Sequence, residues 1–234
     1  MGFIDGAAGA YETVFGRSVH DSRFRLGNVG LVIEDEQATA HLSGMVFATE
    51  SIDRAERLLE RRGVPADREG GRLMLGREAT HQVPIAVTEP EDSPPLSPLA
   101  GADEAASITA LDHVVIRTLN PERAVALYGG RLGLDPRLDR SNPQWNARLL
   151  FFRCGDLVVE IAHDLGKGIS DGPDQLWGLS WRTPDIARCH ARLRKAGVEL
   201  SELRGGRRPG TQVFTVHSHT ANVPTIVIGR LDRW

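Results

Sequence analysis

Two apolar runs set the pattern of this chain: LDHVVIRT at 111–118 and GDLVVEIA at 155–162, each interrupted by one group able to ligate a metal. A period of two predicts a strand in both, with His113, Val115 and Arg117 on one face of the first and Val158, Glu160 and Ala162 on one face of the second. Between them, NPERAVALYGGRLGL has helical spacing. Asn120 is placed to cap, Pro121 occupies the first helical position, Ala124, Leu127 and Tyr128 form the apolar stripe, and Gly129 and Gly130 mark the expected end. The predicted order is strand, helix, further strands.

The same pattern recurs. GMVFATESIDRAERLLERRGV at 44–64 and GLSWRTPDIARCHARLRKAGV at 178–198 align without a gap, sharing Gly, Thr, Ile, Arg, Leu, Gly and Val. RLMLGREATHQVPIAVTE from Arg72 aligns likewise with QVFTVHSHTANVPTIVIG from Gln212. The offset grows from 134 (178 − 44) to 140 (212 − 72), which places an insertion of about six residues in SELRGGRRPG. AYETVFGR around Tyr11, followed by RLGNVGLVIEDE, supplies a further copy. Four βαβββ-like modules are therefore expected, at 1–36, 42–90, 111–165 and 176–232. Tyr128 follows His113 by fifteen residues (128 − 113), whereas the matching Tyr11 has ten residues before it. The first module is thus expected to lack most of its first strand, with MGFI a remnant and a sheet edge exposed.

With LDHVVIRT, the helix carrying ALYGGRLGL and GDLVVEI in place, the chain resembles the vicinal oxygen chelate superfamily, which includes glyoxalase I, bleomycin-resistance proteins, fosfomycin-resistance enzymes and extradiol dioxygenases. The resemblance implies an α+β fold in which repeated βαβββ modules pair into two glyoxalase-like domains, with mixed curled sheets and helices outside. The expected domains are 1–90, without a metal, and 108–234, with the site, joined by a linker at 91–107 within a Pro-, Ser- and Ala-rich run. It further implies a cup holding a divalent metal (Fe, Zn or Mn), for which His113 and Glu160 stand at ligand positions and His217 is a third candidate. Such a scaffold hosts lyases, isomerases, oxygenases and metal-free binders alike.

This sequence departs from the pattern at informative points. Gly178 stands where the last module would repeat His113, the strand VPTIVIG has no carboxylate, and Gly44 occupies the same place in the second module. An extradiol dioxygenase lacks its second His, and a glyoxalase-type lyase its four ligands. The expected function is a divalent-metal-dependent enzyme acting on a small organic substrate with vicinal oxygens; the alternative is a metal-free small-molecule binder of the bleomycin-resistance type.

Arg117 and Arg182 are equivalent in the repeat and are the candidate catalytic groups, able to stabilise a carboxylate or enolate. Arg207 and Arg208 in the insertion, and Trp181, are the candidate substrate-binding residues, with Arg204 in the same insertion and Trp145 and Trp177 as further aromatic candidates. His217 and His219 are two apart at a predicted strand end and so are expected on one face.

Composition adds exclusions. The 234 residues are 41% hydrophobic and 25% charged, and a net charge of −3 gives no support to nucleic-acid binding. No apolar run reaches membrane-spanning length, the start lacks a signal-peptide pattern, and a cytoplasmic protein is expected, with a homodimer as the candidate assembly. The two cysteines, Cys154 and Cys189, read as buried free thiols.

Overall fold

Strands and helices follow one another as the repeat predicts. The computed structural model describes residues 5–34, 41–90, 95–101 and 103–230. The first module contributes α1 (Asp5–Phe15), β1 (Arg23–Arg25) and β2 (Gly30–Val32); the second β3 (Met45–Ala48), α2 (Ile52–Arg61), β4 (Ala66–Glu69), β5 (Arg72–Leu75) and β6 (Ile85–Thr88). The third contributes β7 (Ala110–Arg117), α3 (Pro121–Ala124), β8 (Asp135–Asn142), β9 (Ala147–Cys154) and β10 (Leu157–Asp164). The fourth has β11 (Gln175–Arg182), α4 (Ile186–Lys195), β12 (Arg204–Gly205), β13 (Thr211–Val216) and β14 (Thr225–Arg230). The architecture is α+β, built from βαβββ modules. The stretch MGFI, read as a strand remnant, and part of the linker, 91–94 and Ala102, lie outside the described residues.

The sequence offsets carry over into the structure. Helices α2 and α4 begin and end at positions 134 apart (186 − 52 and 195 − 61), and Met45↔Ile85 in the β3/β6 pair corresponds to Leu179↔Thr225 in β11/β14. Ser51 and Asp185 cap the two helices at equivalent positions, each accepting from the amide three residues on. Even the turn before the last strand is shared: His81 and Gln82, like Ala221 and Asn222, adopt positive φ.

Close contacts gather the chain into two compact units, which group the modules as first with fourth and second with third. Unit 1 comprises 1–41, 94–113 and 178–234; unit 2 comprises 42–93 and 114–177. In unit 1, β13 and β14 pair antiparallel and β11 joins β14 in parallel, while β1 and β2 form a separate two-stranded ribbon. Its core is aromatic: Phe15 meets Phe24 edge-on at 5.0 Å between ring centres and Trp181 at 4.7 Å. The described part of the expected linker is packed into this unit. Ser97, Ala106 and Ser107 are buried, and Arg17 donates to the carbonyls of Ser97 (2.8 Å) and Ile108 (3.0 Å) while pairing with Glu104 (2.7 Å). These bonds satisfy backbone groups that a free linker would leave to water.

In unit 2, β4, β5 and β6 form an antiparallel run with β3 added in parallel at its end, and β8, β9 and β10 form an antiparallel meander. The third-module helix departs from expectation at its C-terminal half. Asn120 caps it as read, accepting from the Arg123 amide, and Ala124, Leu127 and Tyr128 are buried. It does not stop at Gly129 and Gly130, however. From Val125 to Arg131 it continues as a π-helix. A Cβ on Gly129 would meet the Phe152 ring at 3.2 Å, so that glycine serves a close approach of helix to strand.

Candidate functional site

The site candidates named from the sequence separate into the two units. In unit 1 the organising group is one that the sequence reading passed over, Asp112. Its Oδ2 lies 2.8 Å from Nδ1 of His113, and its side chain is 7% exposed. Burial pushes the Asp112 carboxyl up, but the hydrogen bond from His113 and the charges of His113, Arg208 and Arg182 together outweigh it and hold it below the ordinary carboxylate value. An ionised carboxylate only accepts, so Nδ1 is the ring nitrogen that donates to Asp112. Because the folded value is depressed, this contribution to stability is present above the unfolded carboxylate pKa, about 4, and is lost as pH falls through the lower folded value.

The strand that carries this dyad is pinned through Leu111. Asn28 donates to the Leu111 carbonyl at 2.8 Å and accepts from its amide at 2.9 Å, and Arg182 donates to the same carbonyl through Nη2 (2.8 Å) and Nε (3.2 Å). Arg182 also stands 3.6 Å from Asp112 Oδ1. Its guanidinium therefore orders the strand and adds positive charge beside the dyad. Asp112 escaped the sequence reading because a strict period of two places neighbours on opposite faces; the side chain instead folds along the strand to the next residue. The signal was present as an acid immediately before His113 in an apolar strand.

The other unit 1 candidates are less engaged. Trp181 is 1% exposed and packs in the core against Phe15, so it is a core residue where the sequence suggested a ligand contact. The insertion is partly structured, since Arg204 and Gly205 form β12 against β13 and Arg204 donates to Ser201 and Thr215. Arg207 and Arg208 are exposed beyond it. β13 ends at Val216, which corrects the shared strand face expected for His217 and His219. Both are exposed in the turn that follows, with the His217 amide donating to Glu199 and His219 Nδ1 meeting the Ser218 hydroxyl.

Gly178 repeats the position of His113, and its surroundings account for its identity. A Cβ built there would stand 2.8 Å from the Pro224 carbonyl oxygen and 3.3 Å from the proline ring. Gly44 is closed in the same way by Pro84, at 3.2 and 3.0 Å. A side chain at Gly178 would press on the Pro224 backbone, and one at Gly44 would meet Pro84 in tight contact.

In unit 2, Glu160 is buried in β10, and Arg117 stacks over the Trp177 ring at 3.8 Å from its centre. A second polar cluster lies deeper. The Asp174 side chain is fully buried; its Oδ1 accepts from Thr118 Oγ1 (2.7 Å) and Arg123 Nη2 (2.8 Å), and Arg123 also donates to the Gly172 carbonyl. Asp174 Oδ2, Arg123 Nε and Tyr128 Oη are buried without a hydrogen-bond partner among the described residues. Unit 1 solves the equivalent problem differently, since Tyr11, the counterpart of Tyr128, donates to the Thr220 carbonyl at 3.0 Å. His81 lines a groove of about 520 Å³ with Glu78, Arg123 and Asp171 over this cluster. Burial and then the Arg123 charge push the His81 pKa down.

Among the described residues no group of three or more His, Cys, Asp or Glu side chains could hold a metal ion. With Gly178 closed by Pro224 and no carboxylate in β14, the donors do not fit a four-ligand centre. Both cysteines are free, Cys189 buried and Cys154 half-buried. No helix of the described residues is long and apolar enough to cross a membrane.

Comparison with known proteins gives a family match and several similar folds. Residues 112–215 match the family described as Glyoxalase/Bleomycin resistance protein/Dioxygenase superfamily. Among solved structures, a methylmalonyl-CoA epimerase from Mycobacterium tuberculosis is 20% identical, covering 56% of this chain and 93% of its own, with a TM-score of 0.47. A hypothetical protein from Bacillus halodurans is 19% identical, covering 53% and 96%, with a TM-score of 0.44. A Streptomyces coelicolor methylmalonyl-CoA epimerase in complex with 2-nitronate-propionyl-CoA is 18% identical, covering 54% and 100%, also at 0.44. No curated protein matches.

Proposed function

We propose that this chain, whose residues 112–215 match the family described as Glyoxalase/Bleomycin resistance protein/Dioxygenase superfamily, works as a small-molecule binder without a four-ligand metal centre. In this reading the C-terminal half, 108–234, takes a small oxygen-bearing organic anion beside His113. The observation that carries it is the closure of Gly178 by Pro224, which crowds the Cβ of any histidine that would repeat His113. The positive charges of Arg182 and Arg208, felt at Asp112, support a negatively charged ligand.

One observation favours the metal-dependent enzyme as a second reading. A carboxylate behind Nδ1 is the usual partner of a metal-bound histidine, and Asp112 provides it for His113. His113 would then be a ligand, and the metal would supply Lewis-acid polarisation of substrate oxygens.

Calorimetric titration with oxalate, a dianion with vicinal oxygens, separates the two. The binder predicts an affinity that survives EDTA and falls about tenfold in Arg208→Ala or His113→Ala, the size expected for one charge-assisted hydrogen bond. Binding abolished by EDTA favours the metal reading. Absence of binding in both buffers contradicts an anion site beside His113.

A further inference from the structure

We propose that the groove beside His81 binds a small cyclic amide, whose carbonyl accepts from Tyr128 and Arg123 and whose N–H donates to Asp174. The groove encloses about 520 Å³, within the range of small-ligand pockets, and has His81, Gln82, Arg123 and Pro173 among its walls. Arg123 belongs both to the groove and to the buried cluster, and Pro173 directly precedes Asp174 in the chain. All these residues lie in unit 2, so the inference does not depend on the reading of His113.

The repeat shows what this place looks like when it is closed. The offset of 140 equates Thr220 with Thr80 (220 − 80), and Tyr11 is the counterpart of Tyr128. The two turns make the same internal bond: the Val223 amide donates to the Thr220 carbonyl at 2.9 Å, and the Val83 amide to the Thr80 carbonyl at 3.2 Å. In unit 1 the Thr220 carbonyl also receives the Tyr11 hydroxyl, at 3.0 Å. In unit 2 the Tyr128 hydroxyl is fully buried and has no partner among the described residues. A buried hydroxyl left in that state is costly, and what it lacks is the carbonyl oxygen that its twin has.

Three buried atoms define what the occupant must offer. Tyr128 Oη and Arg123 Nε call for an acceptor, and Asp174 Oδ2 calls for a donor. Burial and then the Asp174 charge push the Tyr128 pKa up, so the hydroxyl keeps its proton and donates. Asp174 Oδ1 accepts from Arg123 Nη2 at 2.8 Å, which ties the three groups into one cluster. A lactam presents C=O and N–H side by side along one edge and so supplies both kinds of partner. Charge argues for a neutral ligand: an anion would meet buried Asp174 with exposed Glu78 and Asp171, and a cation would meet Arg123. Entry displaces the Arg123 side chain, which is 17% exposed.

Titration of the full chain with pyrrolidinone, followed by the backbone amide signals in NMR, tests this. So small a probe binds weakly, and the titration runs to millimolar concentration. Saturable shifts are expected around His81 and Asp174, and none with N-methylpyrrolidinone, which has no donor for Asp174. Tyr128→Phe is expected to bind pyrrolidinone about tenfold more weakly, the size of one hydrogen bond. It should melt at the wild-type temperature, because only an unpartnered hydroxyl is removed, whereas Tyr11→Phe, which loses a bond to Thr220, should melt lower. The proposal is overturned by a wild type without saturable shifts, by equal binding of the N-methyl probe, or by a Tyr128→Phe protein that binds like the wild type. A Tyr128→Phe protein that melts as low as Tyr11→Phe, or does not fold, overturns it too, since its hydroxyl would already be bonded. The N-methyl comparison uses the wild type and stands whatever the variants do.

Discussion

Trp181→Ala is expected to lower unfolding stability by roughly 3–5 kcal/mol, the range for emptying the site of a large buried aromatic. Trp181 is 1% exposed and rests its ring against Phe15, which in turn packs on Phe24, so truncation opens a cavity lined by rings that cannot collapse into it. The measurement is a urea titration, read as a lower midpoint at unchanged slope. Trp181→Phe, keeping an aromatic ring, should cost less than half as much. The alternative reading of Trp181 as a wall of the ligand site predicts the reverse: weaker oxalate binding with stability nearly intact.

Asp174→Ala is expected to cost about 3 kcal/mol, the low end for breaking a buried ion pair because the Arg123 side chain keeps 17% exposure and its bond to Gly172. The loss arises from what is left behind: a guanidinium without its buried carboxylate and a Thr118 hydroxyl left with the Asn120 carbonyl alone. Replacing both partners, Asp174→Leu with Arg123→Met, should recover most of that stability, since the pair then disappears without an orphan. A double-mutant cycle checks this directly. Equal losses in the single and double variants would mean that Asp174 acts through packing and not through its charge.

The repeat was legible because it is written in spacing. The offsets of 134 and 140 placed α2 against α4 and β6 against β14, and they identified Gly44 and Gly178 as one position. Capping chemistry also read correctly at Asn120. What could not be read depends on groups brought together by folding. Arg123 and Asp174 are 51 residues apart, and neither has a neighbour in sequence that announces the pair. The π-helix through Gly129 and Gly130 reverses the ordinary meaning of two glycines after a helical stripe, because the helix must approach Phe152. The grouping of first with fourth and second with third modules has no local signature at all. Asp112 was overlooked for a different reason, since alternation describes where a side chain leaves the backbone and not where a carboxylate ends.

The reason for Gly178 is likewise a matter of tertiary packing. From sequence it is a missing ligand; in the structure it is a contact between β11 and the residue that opens β14. That contact makes metal content the most direct test of the account. Protein purified without chelator, incubated with Zn²⁺, Mn²⁺ or Fe²⁺ and desalted, is predicted to hold far less than one ion per chain by elemental analysis, with no change in His113→Ala or Glu160→Ala. A near-stoichiometric ion in the wild type that is lost in both variants would contradict it.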